Sequence, residues 1–175
     1  MNEKTILALA TCILAGCASY GGHDLVIGEA GEADVIRTMG TPAMRWTQPD
    51  GGVRLAFPRG PMGVHTYMAD IGADGKLSAI RNVLTPETFG EIAANMSADE
   101  VLRRLGPPEP SWTAYFSRRN ELVWVWRYCD DWHQLARFDV LFDATARRVR
   151  STMTQREDQI GDCGGEYGGG CWCSR

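Results

Sequence analysis

Apolar residues recur along this chain in two rhythms, one at helical spacing and one alternating, and each rhythm is written twice. The first helical stretch reads Gly31-Glu32-Ala33-Asp34-Val35-Ile36-Arg37-Thr38-Met39-Gly40-Thr41-Pro42. The second reads Ser97-Ala98-Asp99-Glu100-Val101-Leu102-Arg103-Arg104-Leu105-Gly106-Pro107-Pro108. Both begin acidic, carry paired aliphatics and a further apolar residue three positions on, and leave through Gly-x-Pro. Val35, Ile36 and Met39, or Val101, Leu102 and Leu105, form one apolar stripe, the mark of a short amphipathic helix on a core. Ser97 with Glu100 three residues later makes a capping box. Gly40 and Gly106 suit a left-handed residue past the helix end, and the prolines behind them stop continuation. Such self-similarity points to one unit used twice.

The alternating rhythm follows each helix. After the first come Met44-Arg45-Trp46, the turn Pro49-Asp50-Gly51-Gly52 and Val53-Arg54-Leu55-Ala56-Phe57; Asp-Gly between alternating runs is a strong hairpin signal. A third strand over 64–71 turns at Ala73-Asp74-Gly75 into a fourth over 77–83. After the second helix come runs over 112–116, 122–128, 137–142 and 148–153. Pro86 to Asn95 reads as a further short helix with Thr85 as its N-cap. The fold predicted is α+β: two tandem units, 28–84 and 85–155, each of short helices packed on an antiparallel β-meander of about four strands. At roughly 60 residues apiece neither half has much core alone, so the two are expected to pack on each other.

The N-terminus obeys neither rhythm. Lys4 precedes an apolar stretch, Thr5 to Leu14, of secretory-leader length and too short to span a bilayer. It ends in Leu14-Ala15-Gly16-Cys17, which looks like the bacterial lipobox. Residues 1–16 are therefore expected to be a removed signal peptide and Cys17 the site of lipid attachment. Acyl chains there bury methylenes at ~0.8 kcal/mol each, and one chain alone holds only marginally. A linker over 17–27 is expected to follow. Ala18 and Ser19 after the cysteine, with no Asp, favour the outer membrane, the folded part facing the periplasm. The charge balance, 18 basic against 22 acidic residues for a net −4, argues against a nucleic-acid partner and offers no polybasic signal for anionic lipid.

Three stretches then carry a resemblance. Val83-Leu84-Thr85-Pro86-Glu87-Thr88-Phe89, Asn95-Met96-Ser97-Ala98-Asp99-Glu100-Val101 and Leu105-Gly106-Pro107-Pro108 resemble the BamE (SmpA/OmlA) lipoprotein family, in which a capped helix exits through Leu-Gly-x-Pro into a small sheet. Asn95 stands where that family usually has Gly. The twofold repetition is similar to the tandem architecture of β-lactamase inhibitor proteins. The resemblance covers about residues 28–153 and implies a role in outer-membrane β-barrel assembly, with barrel protein and phosphatidylglycerol as ligands.

Candidate chemistry is sparse. Cys129, Cys163, Cys171 and Cys173 are disulfide candidates in an exported protein. Cys129 with Cys163 is the favoured pair, joining a strand end to the tail, while Cys171 and Cys173 are too close for an unstrained bridge. A metal held by these thiols with His133 or Asp130 is the alternative, but the spacing is not that of a zinc ribbon, so neither metal nor cofactor is predicted. Alternation puts Trp124, Trp126 and Tyr128 on one strand face, either as core beneath helices or as a partner-binding face that Trp46, Trp112 and Trp132 extend. Arg103-Arg104, Arg118-Arg119 and Arg147-Arg148 read as solvated pairs, or as contacts to lipid phosphates. No nucleophile elbow, phosphate loop or His-Glu-x-x-His is present, so no enzyme is predicted. Residues 156–175, Gly- and Cys-rich, read as a flexible tail. The function implied is a membrane-anchored binding or scaffold module in envelope assembly or maintenance, with barrel-assembly or other envelope proteins as partners. The alternative is an inhibitor or sequestering protein for a periplasmic enzyme.

Overall fold

The structure, a computed structural model, describes residues 20–60, 63–161, 163 and 171–173. The leader over 1–16 and Cys17 lie outside the described residues. Element order is α1 (Glu32–Met39), β1 (Met44–Thr47), β2 (Val53–Pro58), β3 (Thr66–Ile71), β4 (Leu77–Asn82), α2 (Pro86–Gly90), α3 (Ala98–Leu105), β5 (Ala114–Phe116), β6 (Glu121–Cys129), β7 (Leu135–Asp143) and β8 (Arg148–Arg156). The strands form two four-stranded antiparallel sheets in the orders β1-β2-β3-β4 and β5-β6-β7-β8, an α+β fold. Among the described residues no helix is long and apolar enough to cross a membrane.

Local chemistry explains the elements. At the β1–β2 hairpin the Asp50 carboxylate accepts from Gly52 N at 3.0 Å, and a side chain at Gly52 would meet Ile71 O at 2.5 Å, so only glycine fits. The capping box of α3 is closed: Ser97 Oγ accepts from Glu100 N at 3.2 Å and Glu100 Oε2 from Ser97 N at 2.7 Å. Gly40 and Gly106 have φ of +89° and +75° with ψ of −170° and −168°, extended backbone of positive φ rather than the left-handed helical conformation expected. Only the first turn of the helix expected over Pro86 to Asn95 forms. Asn95, at φ +71°, swings the chain onto the edge of β8, where Asn95 N donates to Val149 O and Val149 N to Met96 O, each at 2.8 Å. Those sheet-edge bonds satisfy backbone groups that a longer helix would have paired internally.

Each face of the first sheet has its own core. Val35 and Met39 of α1 pack with Leu55, Phe57, Ala69, Ile71 and Leu77 on one face. The other face contributes Trp46, Ala56 and Met68 to a larger cluster with Val101 and Leu105 of α3 and Trp124, Trp126, Phe138, Val140 and Phe142 of the second sheet. Helix α3 thus lies between the sheets: Arg54 Nη1 donates to Arg103 O at 3.3 Å on one side, and Trp126 Nε1 to Gly106 O at 3.2 Å on the other. Burying each large apolar side chain contributes about 1.5–3 kcal/mol, which makes this shared layer the main tie between the halves.

Neither the linker expected over 17–27 nor the tail expected over 156–175 is free of the fold along its whole length. From Tyr20 onward the chain lies on the first sheet: Gly21 and Gly22 are buried, Leu25 packs on the smaller core, and Gly28 N donates to Leu77 O at 2.8 Å. At the other end, Leu135 N donates to Cys171 O at 2.6 Å and Cys173 N to His133 O at 2.9 Å, so residues 171–173 extend the second sheet instead of trailing from it.

Candidate functional site

The aromatic face of β6 is core. Trp126 is 2% exposed, and Trp124 and Tyr128 are buried with it. Phe89 of α2 stacks on Phe138 at 4.1 Å and meets Tyr128 edge-on at 4.7 Å, while Trp124 packs against Phe142 at 4.7 Å. Burial raises the Tyr128 phenol pKa, with nearby Asp130 and Asp131 acting in the same direction. The three side chains are interior and present no surface to a partner, contrary to the binding-face reading. Trp112 is half-buried, its ring 3.8 Å from the Arg137 guanidinium on the opposite face of the second sheet.

That opposite face carries an ionic cluster which the alternation pattern did not reveal. Arg127 reaches Glu157 at 2.6 Å and Arg137 reaches it at 3.4 Å, with Glu157 only 1% exposed. Beside them Asp139 is buried; Gln155 Nε2 donates to its Oδ2 at 2.7 Å, while Oδ1 has no hydrogen-bond partner among the described residues. Burial raises the Asp139 pKa, and the Gln155 bond and Arg137 offset it only in part. Ligand atoms of Glu157, Cys163 and Cys171 lie within 4.8 Å of one another. As a metal centre the trio is poor: Glu157 is committed to two guanidiniums and the two sulfurs are paired.

The cysteines pair differently from the expected Cys129–Cys163. Cys129 bonds Cys173, with Cα atoms 6.0 Å apart, and Cys163 bonds Cys171, with Cα atoms 5.4 Å apart. The cause is the return of 171–173 to the sheet: the Cys173–His133 backbone bond sets Cys173 beside the end of β6, where Cys129 stands. The β6–β7 turn is held from inside as well, since Asp130 Oδ1 accepts from Trp132 N at 2.9 Å and Gln134 N at 2.8 Å. On this stapled turn Trp132 is 77% exposed and Trp172, bridged to Gln134, is 62% exposed. With His133 and Cys173 they line a shallow cleft of about 420 Å³.

A second group sits where the described chain begins. Tyr20 Oη is 2.8 Å from His65 Nδ1, and the Arg59 guanidinium stands 5.8 Å from the rings of Tyr20, Phe57 and Tyr67. Arg59 also donates to Met39 O at 3.1 Å. Burial lowers the His65 pKa and raises that of Tyr20.

At the far end of the second sheet, edge strand β5 exposes Tyr115 and Phe116, with the Arg119 guanidinium 4.7 Å over the Phe116 ring. Of the arginine pairs read as solvated, Arg119 pairs with Glu121 at 2.7 Å, Arg103 with Asp99 at 2.7 Å, Arg147 covers Trp124 at 5.2 Å and Arg148 donates to Asn95 O at 3.0 Å. Alternation found the strand that carries Tyr115 and Phe116 but not that it is an exposed edge, and it says nothing of Trp132 and Trp172, which lie in a turn and an isolated bridge. Their signal is positional: large aromatics beside Asp130-Asp131, Ser117 and the closing cysteines. No family model matches this chain, and no curated protein or solved structure is similar to it.

Proposed function

We propose that this chain is a lipid-anchored envelope protein of the outer membrane that faces the periplasm and serves as a binding or scaffold module in envelope assembly or maintenance, not as an enzyme. The observation that carries the reading is the spacing between Cys17 and Tyr20. Two residues separate the lipobox cysteine from a side chain already docked on the first sheet, so a lipid at Cys17 tethers a body and not a floppy arm. The finer architecture, two BamE-like units each with helices on its own meander, belongs to the same proposal; α1 and α3 each contribute to a core cluster of the sheet that follows them.

The partner surface we assign is edge strand β5 with Tyr115, Phe116 and Arg119, a composition that suits interface hot spots. An exposed edge also offers unpaired backbone groups to an incoming strand. The test is a photo-crosslinker at position 115 in the acylated protein within native membranes. Capture of a barrel-assembly or other envelope protein, lost when Cys17→Ser prevents acylation, is the expected result. One-to-one capture of a soluble periplasmic enzyme, unaffected by Cys17→Ser, overturns the scaffold reading in favour of an inhibitor.

A further inference from the structure

The described part of the chain has two ends, and only one of them lies within reach of Cys17. Helix α3 fixes the direction. Its start meets the β7–β8 turn through Ala98 N and Arg147 O at 3.0 Å, and its end meets Trp126 through Gly106 O. It therefore runs alongside β6 from the Glu121 end towards the Cys129 end. On its other side Arg54 touches Arg103, and Gly106 lies against Thr66 and Ala56, so β2 points the same way. The β2–β3 connection with Arg59 and His65, and the β6–β7 turn with Trp132, consequently emerge at one end of the molecule. Pro58, Gly60, Gly63 and His65 share a cleft there with Arg127.

Tyr20 is docked on His65 at this same end, and Cys17 is three residues before it. Three residues span at most about 11 Å, whereas the nine residues of β6 separate this end from Tyr115 and Phe116 by roughly 27 Å. Cys17 is therefore held near Tyr20, at the end of the molecule that also carries Trp132 and Trp172, and cannot itself reach β5. Trp132 and Trp172 are the two most exposed tryptophans among the described residues. Exposed indoles beside an acyl anchor are what the headgroup layer of a membrane accepts, an amphipathic ring lying between hydrocarbon and water.

We propose that Tyr20, Trp132 and Trp172 form a membrane-seating face, whose two indoles enter the interfacial layer of the leaflet that carries the anchor. The inference rests on the reading of Cys17 as the lipidated residue. The occupant is the zwitterionic phospholipid interface and not an anionic headgroup: Asp131 is exposed beside Trp132, and Asp130 is spent inside its own turn. Seating is thus driven by the rings and does not strengthen with negative lipid. Its consequence is orientational, since it holds the β5 edge outward into the periplasm.

The experiment reconstitutes the mature, acylated full chain into phosphatidylcholine vesicles carrying brominated acyl chains and follows tryptophan emission. Quenching of two indoles among six, roughly one third of the emission, is expected. It should vanish in W132F/W172F and stay the same when phosphatidylglycerol is added. Emission indifferent to bromine, quenching that survives the double substitution, or quenching that appears only with phosphatidylglycerol overturns the seating face. Mass spectrometry of the same sample keeps the two readings apart. An acylated Cys17 without quenching sinks the seating face alone; quenching without an acylated Cys17 upholds the face and sinks the anchor.

Discussion

Trp126 shows how much a single position decides. Alternation along β6 puts its ring on the same face as Trp124 and Tyr128, and leaves open whether that face meets helices or a partner. Packing against Gly106 and the aromatic core settles it as interior. Trp126→Ala should cost about 3–5 kcal/mol in denaturant unfolding, the usual range for a buried Trp truncated to Ala. Trp132→Ala should fall within about 0.5 kcal/mol of the parent, as for other surface substitutions. Asp139 makes a prediction of opposite character. Because burial raises its pKa, the folded state holds the proton more tightly than the unfolded chain does. The stability that Asp139 contributes is then fully present below the ordinary carboxylate range, about pH 4, and is lost as pH rises through the raised folded value. Asp139→Asn should flatten that decline in urea midpoints measured from acid to neutral pH; an unchanged slope would assign it to other groups. His65 has the reverse sign. Burial lowers its pKa, so the Tyr20 docking it supports should weaken as pH falls below the ordinary histidine range, about 6.5.

Elements were legible in the sequence where their signals are local. The capping box at Ser97, the Asp-Gly hairpin and the alternation of β6 all depend on neighbours a few residues apart, and each appears where its residues put it. Ser97→Ala should cost about 1 kcal/mol, measurable by thermal or urea unfolding. What could not be read depends on distant partners. Helix α2 stops at Gly90 because 95–98 finds the edge of β8. The cysteine pairing likewise follows from a backbone bond between residues 133 and 173, forty positions apart in sequence and invisible to spacing. Under non-reducing digestion the peptides containing Cys129 and Cys173 should remain joined, as should those containing Cys163 and Cys171; a Cys129–Cys163 peptide would contradict the structure. With its cysteines 44 positions apart in sequence, loss of the first bridge should cost on the order of 4 kcal/mol.

For the whole molecule, the candidate site moved from a strand face to the two ends of the fold. Composition and alternation point to aromatic-rich β6, yet the exposed rings among the described residues include Tyr20, Trp132, Trp172, Tyr115 and Phe116, carried by the chain start, a turn, an isolated bridge and an edge strand whose exposure alternation does not reveal. The near end is stapled by disulfides and lies beside Tyr20; the far end offers an unpaired strand edge. This polarity has a function only if the near end is the tethered one. Intact-mass and N-terminal peptide analysis of the processed protein from membranes tests that most directly. A chain beginning at Cys17 and carrying acyl chains on that residue is the predicted result. A first residue other than Cys17, or an unmodified thiol there, would contradict the account.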